Sequence, residues 1–214
     1  LAVKASGSRM ATATAEDFLV VDIEPLTELL RDPAATQQDL TCALNAGTVG
    51  GRHRQASIET LVHVAVHAVA PTTFIGHTHP TAVVGLMASA RAESAFDQLV
   101  YSDEAAVLGR PLYVPYAQPG IALGRMFHDR LRQRHEETGE LPALVLLGNH
   151  GIVAIAPTAD GVDGISAMAV KGSKVRTTAY AVGGVIPLPD ESVASFFARE
   201  DIAERRRNLV QGQF

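Results

Sequence analysis

Residues 144–156 read LVLLGNHGIVAIA: two aliphatic runs, 144–147 and 152–156, on either side of Gly148-Asn149-His150-Gly151. Short apolar runs bounded by glycine predict two strands joined by a tight connection. Downstream, Thr158 is placed to cap a long helix over about 159–181, and Gly183-Gly184 stops it. Upstream, Pro119-Gly120 precedes a helix over about 121–137, and 112–114 predicts a strand ended by Pro115. Further outward come helices over about 92–101 and 82–90, the latter capped by Thr81, and a short strand over 72–76. Before them, Ser57 is read as the N-cap of a helix whose apolar stripe is Ile58, Leu61, Val62, Ala65 and Val69, ending before Pro71. Short strands alternating with longer helices predict a layered α/β domain.

The first 56 residues are less regular. Residues 1–3 read as the end of a strand, 4–8 as a loop, 18–23 as a strand and 26–31 as a short helix after Pro25. A helix or extended segment around 37–44 leads into a loop containing Gly47, Gly50 and Gly51. Helical pieces near 191–198 and 202–210 close the chain, with Arg205-Arg206-Arg207 read as a solvated helix end or subunit edge. No repeat or long linker divides the sequence, so the expectation is a single domain over residues 1–214. The chain begins at Leu1 rather than Met, which is read as open to missing upstream residues.

Composition narrows the function classes. Hydrophobic residues are 47% and charged residues 19%, which excludes a disordered chain. The net charge of -5 argues against a partner bound through its phosphate backbone, so nucleic acid is not expected. No apolar run reaches the roughly 20 residues of a membrane span, so no membrane partner is expected. Cys42 is the single cysteine, which rules out an internal disulfide and a cysteine-based zinc site; a cytoplasmic setting is the expectation. Eight histidines supply neutral nitrogen ligands.

The sharpest chemical feature is His77-Thr78-His79-Pro80. On a strand, positions two apart share a face, so both imidazoles can lean onto one ion. Pro80 puts the pair at a strand end, where open sites form. Two solvent-facing loop histidines are the alternative. A catalytic metal needs a third ligand, and His150, between two glycines, is the best candidate; a locally bonded turn histidine is the alternative. Glu59, His63 and His67 recur at four-residue spacing on one helix face. His63 and His67 are read as core-edge histidines. Glu59 reads as a first-turn glutamate, or as a proton-transfer group if that helix packs behind the metal site. Ser6-Gly7-Ser8 and Ser57 offer hydroxyl and backbone donors suited to phosphate oxygens, although most such triplets are plain turns.

Taken in order, VKASGS (3–8), SIETLVH (57–63), HTHP (77–80), VPYAQPG (114–120) and LLGNHG (146–151) resemble the class II aldolase/adducin family. The forms VKASGS and SIETLVH are most similar to its rhamnulose-phosphate-aldolase-like branch, including the aldolase half of bifunctional aldolase/short-chain dehydrogenases. The resemblance implies a three-layer α/β/α sandwich around a mixed, largely antiparallel sheet. It also implies a divalent metal, usually zinc, on His77, His79 and His150, with Glu59 transferring the proton and Ser6, Gly7 and Ser57 binding substrate phosphate. Homo-oligomers, usually tetramers, are implied as well. The chain departs from the family in having Ala56 where the PSxE motif has proline, and no counterpart of the upstream helix and Gly-Asn-rich phosphate loop. The resemblance assigns no position to the catalytic tyrosine of some members, and Tyr101 is left out of the site.

The resulting expectation is a metal-dependent lyase that cleaves a C–C bond in a hydroxy-carbonyl substrate, of the ketose phosphate type, by retro-aldol chemistry through a metal-stabilised enediolate. A zinc-dependent sugar-phosphate dehydratase or a decarboxylase could use the same site. A non-catalytic adducin-like binding module would have no need of all three histidines.

Overall fold

The computed structural model describes residues 1–49, 52–72 and 74–211. In chain order the first elements are β1 (Ala2–Lys4), β2 (Phe18–Val20), α1 (Ile23–Arg31), α2 (Gln37–Ala43), β3 (Asn45–Val49), β4 (Arg52–Gln55) and α3 (Thr60–Val69). Then follow β5 (Phe74–Thr78), α4 (Thr81–Met87), α5 (Ser102–Leu108), β6 (Leu112–Val114), α6 (Ile121–Thr138), β7 (Leu144–Leu147), β8 (Gly151–Ala156), α7 (Ala159–Ala181), α8 (Asp190–Phe197) and α9 (Glu200–Gln211). The chain divides into one unit of Leu1–Pro71 with Ala117–Gln133 and a second of Thr72–Tyr116 with Arg134–Phe214. Among the described residues, no helix is long and apolar enough to cross a membrane.

In the first unit, β1 and β2 pair antiparallel, as do β3 and β4. An isolated antiparallel bridge joins Ala5 to Ala56. The Asp22 side chain accepts from the Glu24 N–H, so the run expected as a strand over 18–23 breaks after Val20 and the helix begins at Ile23. Thr36 and Asp39 form a reciprocal capping box that starts α2. Where a loop was expected after Leu44, the chain forms the β3–β4 hairpin; Gly50 and Gly51 lie outside the described residues. The helix expected from Ser57 starts at Thr60 instead. The Ser57 carbonyl accepts from the Thr60 N–H at 2.9 Å and its hydroxyl from the Glu59 N–H at 3.4 Å, which makes a tight turn before α3.

In the second unit, four strands form one sheet in the order β5-β8-β7-β6. β5–β8 and β7–β8 are antiparallel and β6–β7 is parallel. The sheet is therefore mixed and largely antiparallel, and the α/β class holds. Every residue of β7 and β8 is buried, so both faces of the central hairpin are covered, as the middle layer of a sandwich requires. Leu144, Leu146, Ile152 and Ala154 enter the core with Met87 of α4 and Ile165 of α7. Each such leucine, isoleucine or methionine side chain contributes on the order of 1.5–3 kcal/mol of burial. The Thr158 hydroxyl accepts from the Gly161 N–H at 3.0 Å and starts α7 as expected. Pro80, not Thr81, takes the N-cap position of α4. The expected strand over 72–76 includes residue 73, outside the described residues, and β5 extends to Thr78. The side chains of Arg205, Arg206 and Arg207, expected at a helix end, also lie outside them.

The helix expected over 92–101 is absent; the segment is a series of turns before α5. Its carbonyls are otherwise engaged. Arg176, fully buried on α7, donates to the carbonyls of Ala95 (2.5 Å) and Gln98 (2.9 Å) and to both carboxylate oxygens of Glu104. Glu104 in turn accepts from the Val100 N–H at 3.3 Å.

Candidate metal centre

β5 ends where the chemistry begins. His77 pairs with Val153, and Val153 with Val145. Paired residues share a face, so the His77 ring leaves the sheet on the side opposite the Leu144–Leu146–Ile152 core. The His77 Nδ1 lies 2.8 Å from the Ile152 carbonyl oxygen. A carbonyl only accepts, so Nδ1 carries the proton and Nε2 carries the lone pair of the neutral ring. His79 follows the strand end, two residues on, with its Nε2 3.0 Å from that of His77.

His150 is delivered by the β7–β8 connection. Its N–H donates to the Leu147 carbonyl (3.2 Å), and the turn is anchored by Gly148 N–H to Val114 O (2.9 Å) and Asn149 N–H to Met87 O (3.0 Å). Asn149 adopts φ 53°, a left-handed conformation that asparagine tolerates well. Gly151 admits the neighbouring strand: a Cβ there would strike the Thr78 carbonyl oxygen and lie 2.7 Å from Cδ2 of His79. Ring centroids are 4.7 Å apart for His77–His79, 5.0 Å for His77–His150 and 4.9 Å for His79–His150. One ligand nitrogen from each ring lies within 4.8 Å of the others.

This donor set fits a divalent transition metal. Three neutral imidazoles are the ligand type of catalytic zinc sites, which keep a further position open. The backbone acceptor on His77 Nδ1 is the outer-shell contact that fixes the tautomer of a metal-ligating histidine. Residues 77, 79 and 150, read in sequence as candidate ligands, are brought together here. The signal that sequence reading missed is the Ile152 carbonyl, since no residue type marks a backbone acceptor.

The other expected residues lie in the first unit. Ser6 N–H donates to Gln55 O (2.8 Å) and Ser57 N–H to Lys4 O (3.3 Å), flanking the Ala5–Ala56 bridge. Ser6 and Ser57 are thereby diagonal neighbours, roughly 7–8 Å apart on one face. Gly7 has φ 80°, and both it and Ser6 are exposed. Beneath this turn Lys4 Nζ donates to the carbonyls of Ala5 (3.0 Å) and Ser8 (2.6 Å). Glu59 is half-buried at the N-cap position of α3. His63 and His67 lie one turn apart on α3; burial, then the positive amino terminus, holds the His67 pKa below the usual histidine range. In the second unit the Tyr101 hydroxyl donates to the Met168 sulfur at 3.2 Å, and burial with the nearby Glu104 charge pushes its pKa up to about 12. That hydroxyl is committed to α7.

The structure is an α/β fold with three histidines gathered at a strand end, a cluster compatible with a divalent metal. Residues 1–162 match the family described as Class II Aldolase and Adducin N-terminal domain, and the chain belongs to that family. An uncharacterized oxidoreductase of Bacillus subtilis (strain 168), YuxG, is 27% identical over 159 residues, which are 74% of this chain and 21% of that protein. The chain thus spans about a fifth of that relative's length. Among solved structures, an L-fuculose 1-phosphate aldolase is similar with a TM-score of 0.61 at 22% identity, over 91% of this chain and 77% of that one. The N-terminal class II aldolase domain of a conserved protein from Thermoplasma acidophilum gives a TM-score of 0.60 at 20% identity, over 80% and 72%. These likenesses establish the fold. Family membership and the histidine cluster together support a metal-dependent, aldolase-type function.

Proposed function

We propose that the protein is a metal-dependent lyase that cleaves a carbon–carbon bond in a hydroxy-carbonyl substrate, a ketose phosphate, by retro-aldol chemistry. The observation that carries this reading is the meeting of His77, His79 and His150. A divalent cation held by them, zinc by the chemistry of the donors, supplies Lewis acidity toward the substrate's oxygens. His77 presents Nε2 because Ile152 holds its Nδ1–H. Glu59 delivers the proton to the carbon that loses its bonding partner; its support is its family position and its place at the start of a buried helix. Ser6, Gly7 and Ser57 hold the phosphate through hydroxyl and backbone N–H groups, supported by the exposure of the turn at Ser6 and Gly7.

The reading extends to the whole chain acting as one cytoplasmic domain in a homotetramer of the rhamnulose-phosphate-aldolase-like branch. A relative named as an oxidoreductase and several times longer than the match fits an aldolase half within a larger enzyme. Metal analysis of purified His77→Ala and His150→Ala tests the centre: both lose the ion, and retention in both overturns the proposal. On a panel of ketose phosphates an aldehyde product marks the lyase, loss of water a dehydratase and CO2 a decarboxylase. Glu59→Gln keeps the ion and loses turnover; full activity removes Glu59 from the mechanism.

A further inference from the structure

The second unit holds a cavity of about 390 Å3 at the end of the β7–β8 hairpin away from His150. Its walls include residues 141–143, which enter β7, and 155–157, which leave β8, whereas His150 sits where β7 passes into β8. The length of β8 puts roughly 15–20 Å between the two places. Leu108, Leu141, Pro142, Ile155, Ile165 and Phe197 give the cavity an apolar lining. Its charged lining is Arg110, Arg134 and Glu140.

Those charges are unbalanced. Two guanidiniums face one carboxylate, and neither Arg110 nor Arg134 forms an ion pair among the described residues. Arg134 is held in place, because its Nη2–H donates to the Arg110 carbonyl at 2.7 Å. That leaves its other N–H groups to meet a ligand. The Thr138 hydroxyl is already engaged: it donates to the Arg134 carbonyl at 2.8 Å and accepts from the Glu140 N–H at 3.3 Å.

The geometry points to a ligand site, separate from the histidine centre, for a small carboxylate with a hydrocarbon body. The volume lies in the range of small-molecule sites. The planar guanidiniums match a carboxylate bidentately. A polyhydroxylated phosphate is disfavoured, because its hydroxyls would lie unpaired against leucine and isoleucine.

The probe is 2-naphthoate, with 2-naphthalenemethanol as the uncharged control of the same body. The chain has no tryptophan, so naphthalene emission reads out cleanly. Saturable binding is expected with a Kd on the order of 0.1–1 mM. The alcohol binds about tenfold more weakly, and Arg110→Glu weakens naphthoate about tenfold while leaving the alcohol unchanged. Arg110 is exposed and its side chain makes no hydrogen bond among the described residues, so this variant folds. Arg134→Ala gives the same loss, and the methyl resonances of Ile155 and Ile165 shift on titration. Equal affinity in wild type and Arg110→Glu, absence of saturation, or shifts confined to other isoleucines each overturn the site.

Discussion

Gly151→Ala tests whether the histidine centre depends on the close approach of two strands. A Cβ at residue 151 falls 2.7 Å from Cδ2 of His79 and closer still to the Thr78 carbonyl oxygen. Comfortable contact begins at 3.4 Å, so the His79 ring must retreat by about 0.7 Å (3.4 less 2.7), and the Thr78 carbonyl by more. Thr78–Ile152 is the last pair of the β5–β8 ladder, so the clash opens the sheet at its ligand-bearing end. Overpacking of this kind costs about 1–3 kcal/mol. For a chain of this size that is a fall in Tm of roughly 3–10 °C. One displaced ligand of three lowers metal affinity about 10–100-fold, the scale of losses when a ligand's support is removed.

The assay is zinc competition against a chromophoric chelator, alongside urea unfolding followed by circular dichroism. Gly164→Ala is the control. Gly164 is exposed on α7, with nothing within 4 Å of a built Cβ. Alanine there gains about 0.5–1 kcal/mol of helix stability and leaves zinc affinity unchanged. Zinc affinity in Gly151→Ala within about twofold of wild type would refute the reasoning, since a shift of this size in a ligand ring must register.

Removing Arg176 strands the buried Glu104 carboxylate and two loop carbonyls, so Arg176→Met loses about 3–5 kcal/mol in urea unfolding; a loss under about 1 kcal/mol contradicts the pairing. His67 has its folded pKa held down, so as pH falls below about 6.5 the unfolded chain takes up the proton first and stability declines. Urea midpoints at about pH 5.5 and 7.5 therefore differ more in wild type than in His67→Gln; equal differences remove His67 as the cause. Chelation by EDTA lowers the Tm of wild-type protein and leaves that of His77→Ala unmoved, because an ion that binds only the folded state stabilises it.

The parts of this structure legible in sequence are those whose cause is local. Two apolar runs around Gly148-Asn149-His150-Gly151 can hardly be other than a hairpin, and histidines two apart before a proline fall on one side of a strand end. The illegible parts have distant causes. Ala92, Phe96 and Leu99 have helical spacing, yet the carbonyls of Ala95 and Gln98 accept from Arg176, about eighty positions on, instead of from the next helical turn. Residues 45–55 lack alternating hydrophobicity, which is why the β3–β4 hairpin read as a loop. Ser57 was recognisable as a capping residue type, but its bonding to Glu59 and Thr60 forms a turn, and α3 starts at Thr60 with Glu59 in the N-cap position.

The three candidate ligands are held in different ways. His77 is fixed twice, by its place in β5 and by the Ile152 carbonyl on its Nδ1. His150 is fixed by a turn whose three N–H groups all have backbone acceptors. His79 lies beyond the last ladder pair and is exposed, seated against Gly151 with its Nε2 3.0 Å from that of His77. His77 is therefore set by its strand and His150 by its turn, and three rings so placed would hold a divalent cation between them. His77→Ala should therefore cost more metal affinity than His79→Ala, because the ring it removes is the one fixed in the ladder.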